Sequence, residues 1–449
     1  MDGKTVAKRS LTRELLLLIV PITLQNLISA AVNAADVVML GGVGQDALSA
    51  VSAVGQITFV LNLFYFGVAG GLSVLSAQYW GKGDADTVER VLGIALMLSS
   101  AVSMLFFALC EAIPGLIIGI FTPDRALIAI GKRYLRVLAI SYLMTGVSQV
   151  MLAMYKTTGK AYITAAVSVV GLIINVALNA LSIYVLFPGD GEKAVIGIAA
   201  ATCIARLVEL VISVVLLRKG SVRCHMKYIL HPKKELLGDY FRMAGPMQAN
   251  FLIWGGGVAA ISAIIGHVSS DLLAANAIVS TVRNLATVVC SGISGGSILV
   301  GQQLGRNEVE TAHKTGNLLA GLSLLLGAVA GGIVLAVQPL AFKLVNLNDT
   351  ALGYMRQMFW ICAVYCIGKS FNSTVVGGIF ASGGDTKFGM FCDLIAMWFV
   401  IVPAGLIAAN VLHWHPVAVY LVLSMDEFVK IPFVIHRYFK KKWLKNITK

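Results

Sequence analysis

Apolar residues fall in twelve long runs, at about 14–41, 48–79, 91–119, 133–155, 161–187, 194–217, 238–266, 272–301, 315–343, 352–378, 387–411 and 416–439. Each holds enough residues to cross about 30 Å of hydrocarbon as an α-helix. None alternates apolar and polar positions over about ten residues, as membrane β-strands do. The pattern predicts an all-α polytopic membrane protein with 12 transmembrane helices. Composition agrees: the chain is 58% hydrophobic and 13% charged, where soluble domains carry about 25% charge. There is too little polar surface to cover a soluble core, which excludes a soluble enzyme and a disordered chain.

The net charge of +13 comes from 35 Lys/Arg against 22 Asp/Glu. With the N-terminus inside, 23 basic residues fall in cytoplasmic segments, seven in outer loops and five within spans (Arg206, Arg242, Arg283, Lys369 and Lys430). This bias predicts cytoplasmic termini and a multi-pass plasma (inner) membrane protein. It also makes the charge a topology signal, with no nucleic-acid partner implied. Arg125, Lys132, Arg133 and Arg136 run against it. The seven cysteines include no CxxC and read as reduced, buried small hydrophobes. No small-residue cleavage signature follows the N-terminus, so no removable signal peptide is expected.

The two halves of the chain repeat. Pro21 pairs with Pro246, Gly41 with Gly266, Asp46 with Asp271, Gln78-Tyr-Trp-Gly-Lys-Gly-Asp with Gln302-Gln-Leu-Gly-Arg-Asn-Glu, and Lys156-Thr-Thr-Gly159 with Ala381-Ser-Gly-Gly384, all at an offset of about 225. Six helices per half is an even number, so the repeats enter the membrane in the same direction. The expected division is an N-lobe over 1–217, a basic cytoplasmic linker over 218–237 lying on anionic lipid or serving as a topology determinant, and a C-lobe over 238–449 with a basic tail.

Ionisable and amide residues inside spans are costly and therefore informative. Gln25, Ser29, Asn33 and Asp36 share one helical face, and Asn175, Asn179 and Ser182 share another. A carboxylate among amide oxygens suits Na⁺ or, if desolvated, a proton; the same faces equally suit polar helix–helix contacts. The positions aligned with Asp36, Asn175 and Asn179 in the second half are Ile261, Val400 and Ala404, so this cluster is not duplicated. The second half instead carries Arg283, Lys369, Asp393, Asp426, Glu427 and Lys430. Asp426 and Lys430 form an expected i,i+4 pair, and charges of both signs should pair across helices. Such a network is either a static brace or a protonation-sensitive or substrate site, with Gln25, Asn33, Lys369, Arg283 and Asp393 as cleft candidates. Arg206 and Glu209 read as a local pair, and Tyr79-Trp80 as interfacial anchors in preference to core aromatics. No P-loop, catalytic triad or metal motif occurs, so the chain is read as no enzyme, without cofactor and without ATP hydrolysis of its own.

Pro21-Ile-Thr-Leu-Gln25, Asp36 before a Gly-rich turn, the duplicated Gln-x-x-Gly segment, Asn175-Val-Ala-Leu-Asn179 and Gly378-Ile-Phe-Ala-Ser-Gly-Gly-Asp385-Thr together resemble the multidrug and toxic compound extrusion (MATE) transporters. The resemblance covers nearly the whole chain. It implies two six-helix lobes around a central cleft and H⁺- or Na⁺-coupled antiport of organic, cationic drug-like compounds out of the cytoplasm. It further implies that a monomer in the bilayer suffices, without an ATPase subunit. On it, Asp36, Asn175 and Asn179 take the cation-coupling role, with a possible Na⁺ near them. Acids that some relatives carry on the seventh and tenth helices are Trp254 and Lys369 here, and the usual signature arginine is Ala381, which moves the expected coupling site to the N-lobe. The basic trio Arg283, Lys369 and Lys430 leaves a second reading, a lipid-linked precursor flippase of a related two-lobe fold.

Overall fold

The computed structural model describes the chain apart from residues 1–2, 42–43, 219–221, 223–224, 346 and 449, and apart from the side chains of 3–11, 33–38, 41, 45 and 344. The described residues form helices and no strands. In chain order they are α1 (Gly3–Gly41), α2 (Gln45–Lys82), α3 (Ala85–Ala112), the short α4 (Pro114–Gly119), α5 (Arg125–Thr157), α6 (Ala161–Ala180), α7 (Gly191–Arg218), the short α8 (Met226–Leu230), α9 (Lys234–Val268), α10 (Ser270–Gly305), α11 (Val309–Leu344), α12 (Asp349–Asn372), α13 (Thr386–Asp393), α14 (Val402–Asn410), α15 (Pro416–Leu423) and α16 (Asp426–Phe439). Wider π-helical turns follow α6 (Leu181–Leu186), α12 (Ser373–Phe380) and α13 (Leu394–Ile401).

Among the described residues, eleven helical stretches are long and apolar enough to span a membrane. The twelfth apolar run, 416–439, is divided between α15 and α16 by a turn at Ser424 and Met425. Asp426 and Glu427 open α16 at that point, where the helix dipole favours negative charge. Interrupted spans of this kind are a recurrent device of secondary transporters.

Two compact units emerge. One comprises Met1–Asn26, Ala77–Lys82 and Gly245–Lys449; the other comprises Leu27–Ser76 and Gly83–Ala244. In the first, α1 packs closely on a run of small residues in α10. A Cβ at Gly292 would fall 1.8 Å from Thr23 Oγ1, and one at Gly295 would fall 2.7 Å from an Ile22 methyl. Such stripes let backbones approach where lipid supplies no hydrophobic drive.

The duplication is visible in the backbone itself. Gly159 and its repeat partner Gly384 both have φ +78°, and Gly83 (φ +84°) is matched by Asn307 (φ 62°). Left-handed φ favours Gly, or Asn among side-chain-bearing residues, so each repeat kept a residue able to make the same turn. The ends of α2 and α10 also cross reciprocally. A Cβ at Gly81 would lie 2.0 Å from the Gln302 carbonyl oxygen, and one at Gly305 would lie 1.9 Å from that of Gln78. Only glycine permits that approach on either side.

The segment after α16 folds back onto the first unit. Trp443 is fully buried, stacked on Tyr438 and His313, with Gly316 and Gly383 beneath it. The Gln78 amide completes the closure: Nε2 donates to the Ser382 and Lys445 carbonyls (2.8 and 3.1 Å), and Oε1 accepts from the Ile447 N–H (2.8 Å). Arg437 clasps Asp385 through two bonds of 2.8 and 2.9 Å.

In the second unit, α8 is held on α3. The Tyr228 hydroxyl donates to Asp86 (2.8 Å), and Arg90, itself paired with Asp86, lies 4.3 Å from the Tyr228 ring centre. The bond to Asp86 pushes the Tyr228 phenol above its ordinary pKa. Tyr228→Phe is expected to loosen the 218–237 linker, read as faster tryptic cleavage at Lys227; an unchanged cleavage rate would show that the clasp does not hold it.

One expectation needs correction. Tyr79 is buried at 5% exposure, so it is a core aromatic and not an interfacial anchor. Of the four basic residues that run against the charge bias, Arg133 pairs with Glu192 and Arg136 with Glu111. Their local charge is thereby reduced.

Candidate functional site

Two polar clusters lie within the apolar spans, one in each unit. The second unit holds an amide ladder between α6 and α7. Asn175 and Asn179 are buried (5% and 0% exposed). Asn179 Nδ2 donates to Asn175 Oδ1, and Asn175 Nδ2 donates to Thr202 Oγ1, both at 3.3 Å; Thr202 in turn donates to the Ile198 carbonyl. The ladder ends where the helix widens into the π turn at Leu181, and Ser182 donates from that turn to the Ala194 carbonyl. Arg206 and Glu209 form the local pair read from their spacing, at 2.7 Å. Asp36 and Asn33 lie in α1, but their side chains are outside the described residues. Gln25 is buried in the first unit, at 6% exposure.

The second unit also carries a cluster that spacing did not reveal. The Tyr65 hydroxyl bonds Ser103 Oγ (2.8 Å) and the Tyr142 carbonyl (2.9 Å), and the Tyr142 hydroxyl bonds Thr58 (2.9 Å). These four residues lie on three helices, so no periodicity within one helix marks them.

The first unit holds the charges. Lys430 is almost fully buried and sits between two carboxylates, 2.8 Å from Asp393 Oδ1 and 2.9 Å from Glu427 Oε2. Lys369 lies 3.1 Å from Glu427 Oε1 and 5.2 Å from the Trp254 ring centre. Amides fill the remaining lone pairs: Asn250 Nδ2 donates to Asp393 Oδ2 (2.7 Å), and Asn372 Nδ2 donates to Glu427 Oε2 (2.9 Å). A buried ion pair persists only when its partners are so satisfied. Arg283 stacks over Tyr365 at 5.1 Å, so the polar faces of α10 and α12 meet.

The i,i+4 expectation for Asp426 and Lys430 is corrected. The ammonium turns to Glu427 and reaches across to Asp393, because two carboxylates converge there and a single one would compensate it less well. Glu427, expected among the charges of this half, completes the site together with the amides of Asn372 and Asn250. Asn250 did carry a signal: it is the repeat partner of Gln25, four residues beyond the matched proline in each half. Asn372 and Asp393 each immediately precede a π segment, and Asn179 stands two residues before one. A widened turn displaces the backbone register and is frequent at functional sites.

Chemically, the Lys430 ammonium occupies the position between Asp393 and Glu427 that a free cation would take. Lys369 and Lys430 of the basic trio are already partnered by acids, whereas Arg283 rests on the Tyr365 ring. Among the described residues, no group of three or more His, Cys, Asp or Glu is placed to hold a metal ion.

A family profile, MatE, matches residues 21–181 and 246–407, one block in each half of the chain. The chain belongs to the MATE family. MATE proteins are transporters and not enzymes, and the twelve-helix, two-repeat expectation agrees with that fold. The chain is 24% identical to the "Uncharacterized transporter YisQ" of Bacillus subtilis, over 92% of this chain and 90% of that protein. It is 24% identical to a "Probable multidrug resistance protein NorM" of Bradyrhizobium diazoefficiens, over 95% and 92%. Among solved structures, a multidrug resistance MATE transporter in an outward-facing conformation superposes with a TM-score of 0.86 at 17% identity, over 98% of this chain and 97% of that one. A MOP superfamily transporter from Pyrococcus furiosus gives 0.86 at 16% identity, over 96% of each. At these identities the structural likeness concerns the fold.

Proposed function

We propose that this MATE protein is a secondary antiporter that exports organic cations from the cytoplasm as a monomer in the plasma membrane, its termini cytoplasmic. Influx of H⁺ or Na⁺ through the N-terminal half drives it, at Asp36 with Asn175 and Asn179. The observation that carries the reading is the contrast between the halves. In the C-terminal half a tethered ammonium already fills the space between two carboxylates. The ladder in the N-terminal half is built of amides and a hydroxyl, whose oxygens ligate a cation without supplying a competing one. For exchange to be driven, ion and drug must differ in affinity for the two conformations of the carrier. A tenfold difference corresponds to about 1.4 kcal/mol.

The test is reconstituted efflux of an ethidium-like cation under imposed ΔpH or ΔNa⁺, with wild type and Asp36→Asn in parallel. Gradient-driven uptake into inverted vesicles should fall more than tenfold in the variant, about 1.4 kcal/mol or more of lost coupling. Persistence of uphill transport in Asp36→Asn would remove Asp36 from the coupling step.

A further inference from the structure

The charges of the C-terminal half do not balance evenly among themselves. Lys369, Glu427, Lys430 and Asp393 form one continuous chain of ion pairs, two cations and two anions, with no net charge. Asp426 stands outside it. Its side chain is buried at 3% exposure, and no lysine or arginine among the described residues comes within ion-pair distance of its carboxyl. Its sequence neighbour Glu427 is already paired with two lysines. An ionised carboxylate buried without a partner is among the most costly groups a membrane interior can hold. Arg283 is the complementary remainder: its guanidinium rests on the Tyr365 ring and pairs with no acid among the described residues.

We propose that Asp426 is a proton-exchange site of the C-terminal half, with Arg283 as the counter-charge of its ionised form. The protonated carboxyl needs no counter-charge, which leaves Arg283 on Tyr365 as observed. On ionisation the O–H bond breaks, the proton leaves to water, and the negative charge left on Asp426 is compensated by the guanidinium. The groups that face this exchange are Glu427 and Lys430 from α16, Lys369, Tyr365 and Cys362 from α12, Asp393 and Cys392 from α13, and Tyr420 from α15. The lysines and acids among them cancel as described, so Asp426 and Arg283 carry the residual balance. The turn at Ser424–Met425 immediately precedes Asp426, so movement of Arg283 toward the carboxylate acts on the start of α16, where the span is already interrupted. The inference rests on the antiport reading for its role, since it supplies H⁺ as a coupling ion in this half, but the proton site itself is measurable without transport.

The experiment is infrared difference spectroscopy of the full-length protein in nanodiscs, between mildly acidic and mildly alkaline pH. Wild type should show a protonated-carboxyl C=O band that is lost on raising the pH and moves on ¹³C-labelling of aspartate. Asp426→Asn should abolish the band, and Asp426→Glu should restore one at a displaced frequency. The glutamate variant decides the matter if the asparagine variant fails to fold. Arg283→Gln should retain the band at an alkaline pH where wild type has lost it. An absent band in wild type, or one unmoved in Asp426→Asn or Asp426→Glu, overturns the proposal. Because no substrate or gradient is used, a negative efflux result for Asp36→Asn leaves this outcome unaffected, and the converse also holds.

Discussion

Lys430→Met should be the most damaging single substitution in the C-terminal half, lowering stability by about 3–5 kcal/mol. Methionine keeps most of the volume and removes the ammonium, leaving Asp393 and Glu427 as buried carboxylates with amide donors and one half-exposed lysine between them. The expected readout is a lower thermal midpoint in detergent and a loss of monodisperse elution. The decisive control is a triple variant. Adding Asp393→Asn and Glu427→Gln to Lys430→Met removes the stranded charges and should recover most of the loss, because a neutral network need not be compensated. If Lys430→Met unfolds at the wild-type temperature, the chain of ion pairs does not brace this half.

The second large effect is expected at Gly383. A Cβ there would lie 1.6 Å from the Trp443 carbonyl oxygen, a backbone atom that cannot swing aside. Gly383→Ala therefore has to displace the segment that carries Trp443. Overpacking of this kind costs about 1–3 kcal/mol, and loss of a fully buried indole adds further. Release should appear as faster proteolysis between Lys440 and Lys445 and greater quenching of tryptophan fluorescence by aqueous iodide. Gly332→Ala is the matched control, since nothing lies within 4 Å of a Cβ there. Equal behaviour of the two variants would show that Trp443 is not held by this contact.

What the chain disclosed in advance followed from local rules. Hydrocarbon thickness sets the length of an apolar run, so the spans were legible. Turn chemistry is local too, which is why Gly159 with Gly384, and Gly83 with Asn307, are recognisable as partners before their dihedral angles are known. Pairing was less legible. That Lys430 chooses Glu427 and Asp393 over Asp426 depends on α13 arriving opposite it, and spacing within α16 contains nothing about α13. The stretch Lys440-Lys-Lys-Trp443 reads as a solvated basic tail. Its tryptophan is nevertheless fully buried, because glycines at 316 and 383 leave the space for it. The side chain of Asp36, on which the coupling proposal depends, lies outside the described residues, so that part of the site rests on the sequence and its family.

The bonds of Gln78 also bear on the order of events during synthesis. Its side chain is made early, yet two of its backbone partners lie 367 and 369 positions further along the chain. The ribosome must therefore deliver all the intervening spans to the insertion machinery before this amide can be satisfied by protein, and water or a chaperone must serve until then. Contacts of such sequence separation form late. Closure at Gln78 is thus a marker of completed assembly, available to any quality-control protease that tests whether the segment around Lys445 is still accessible.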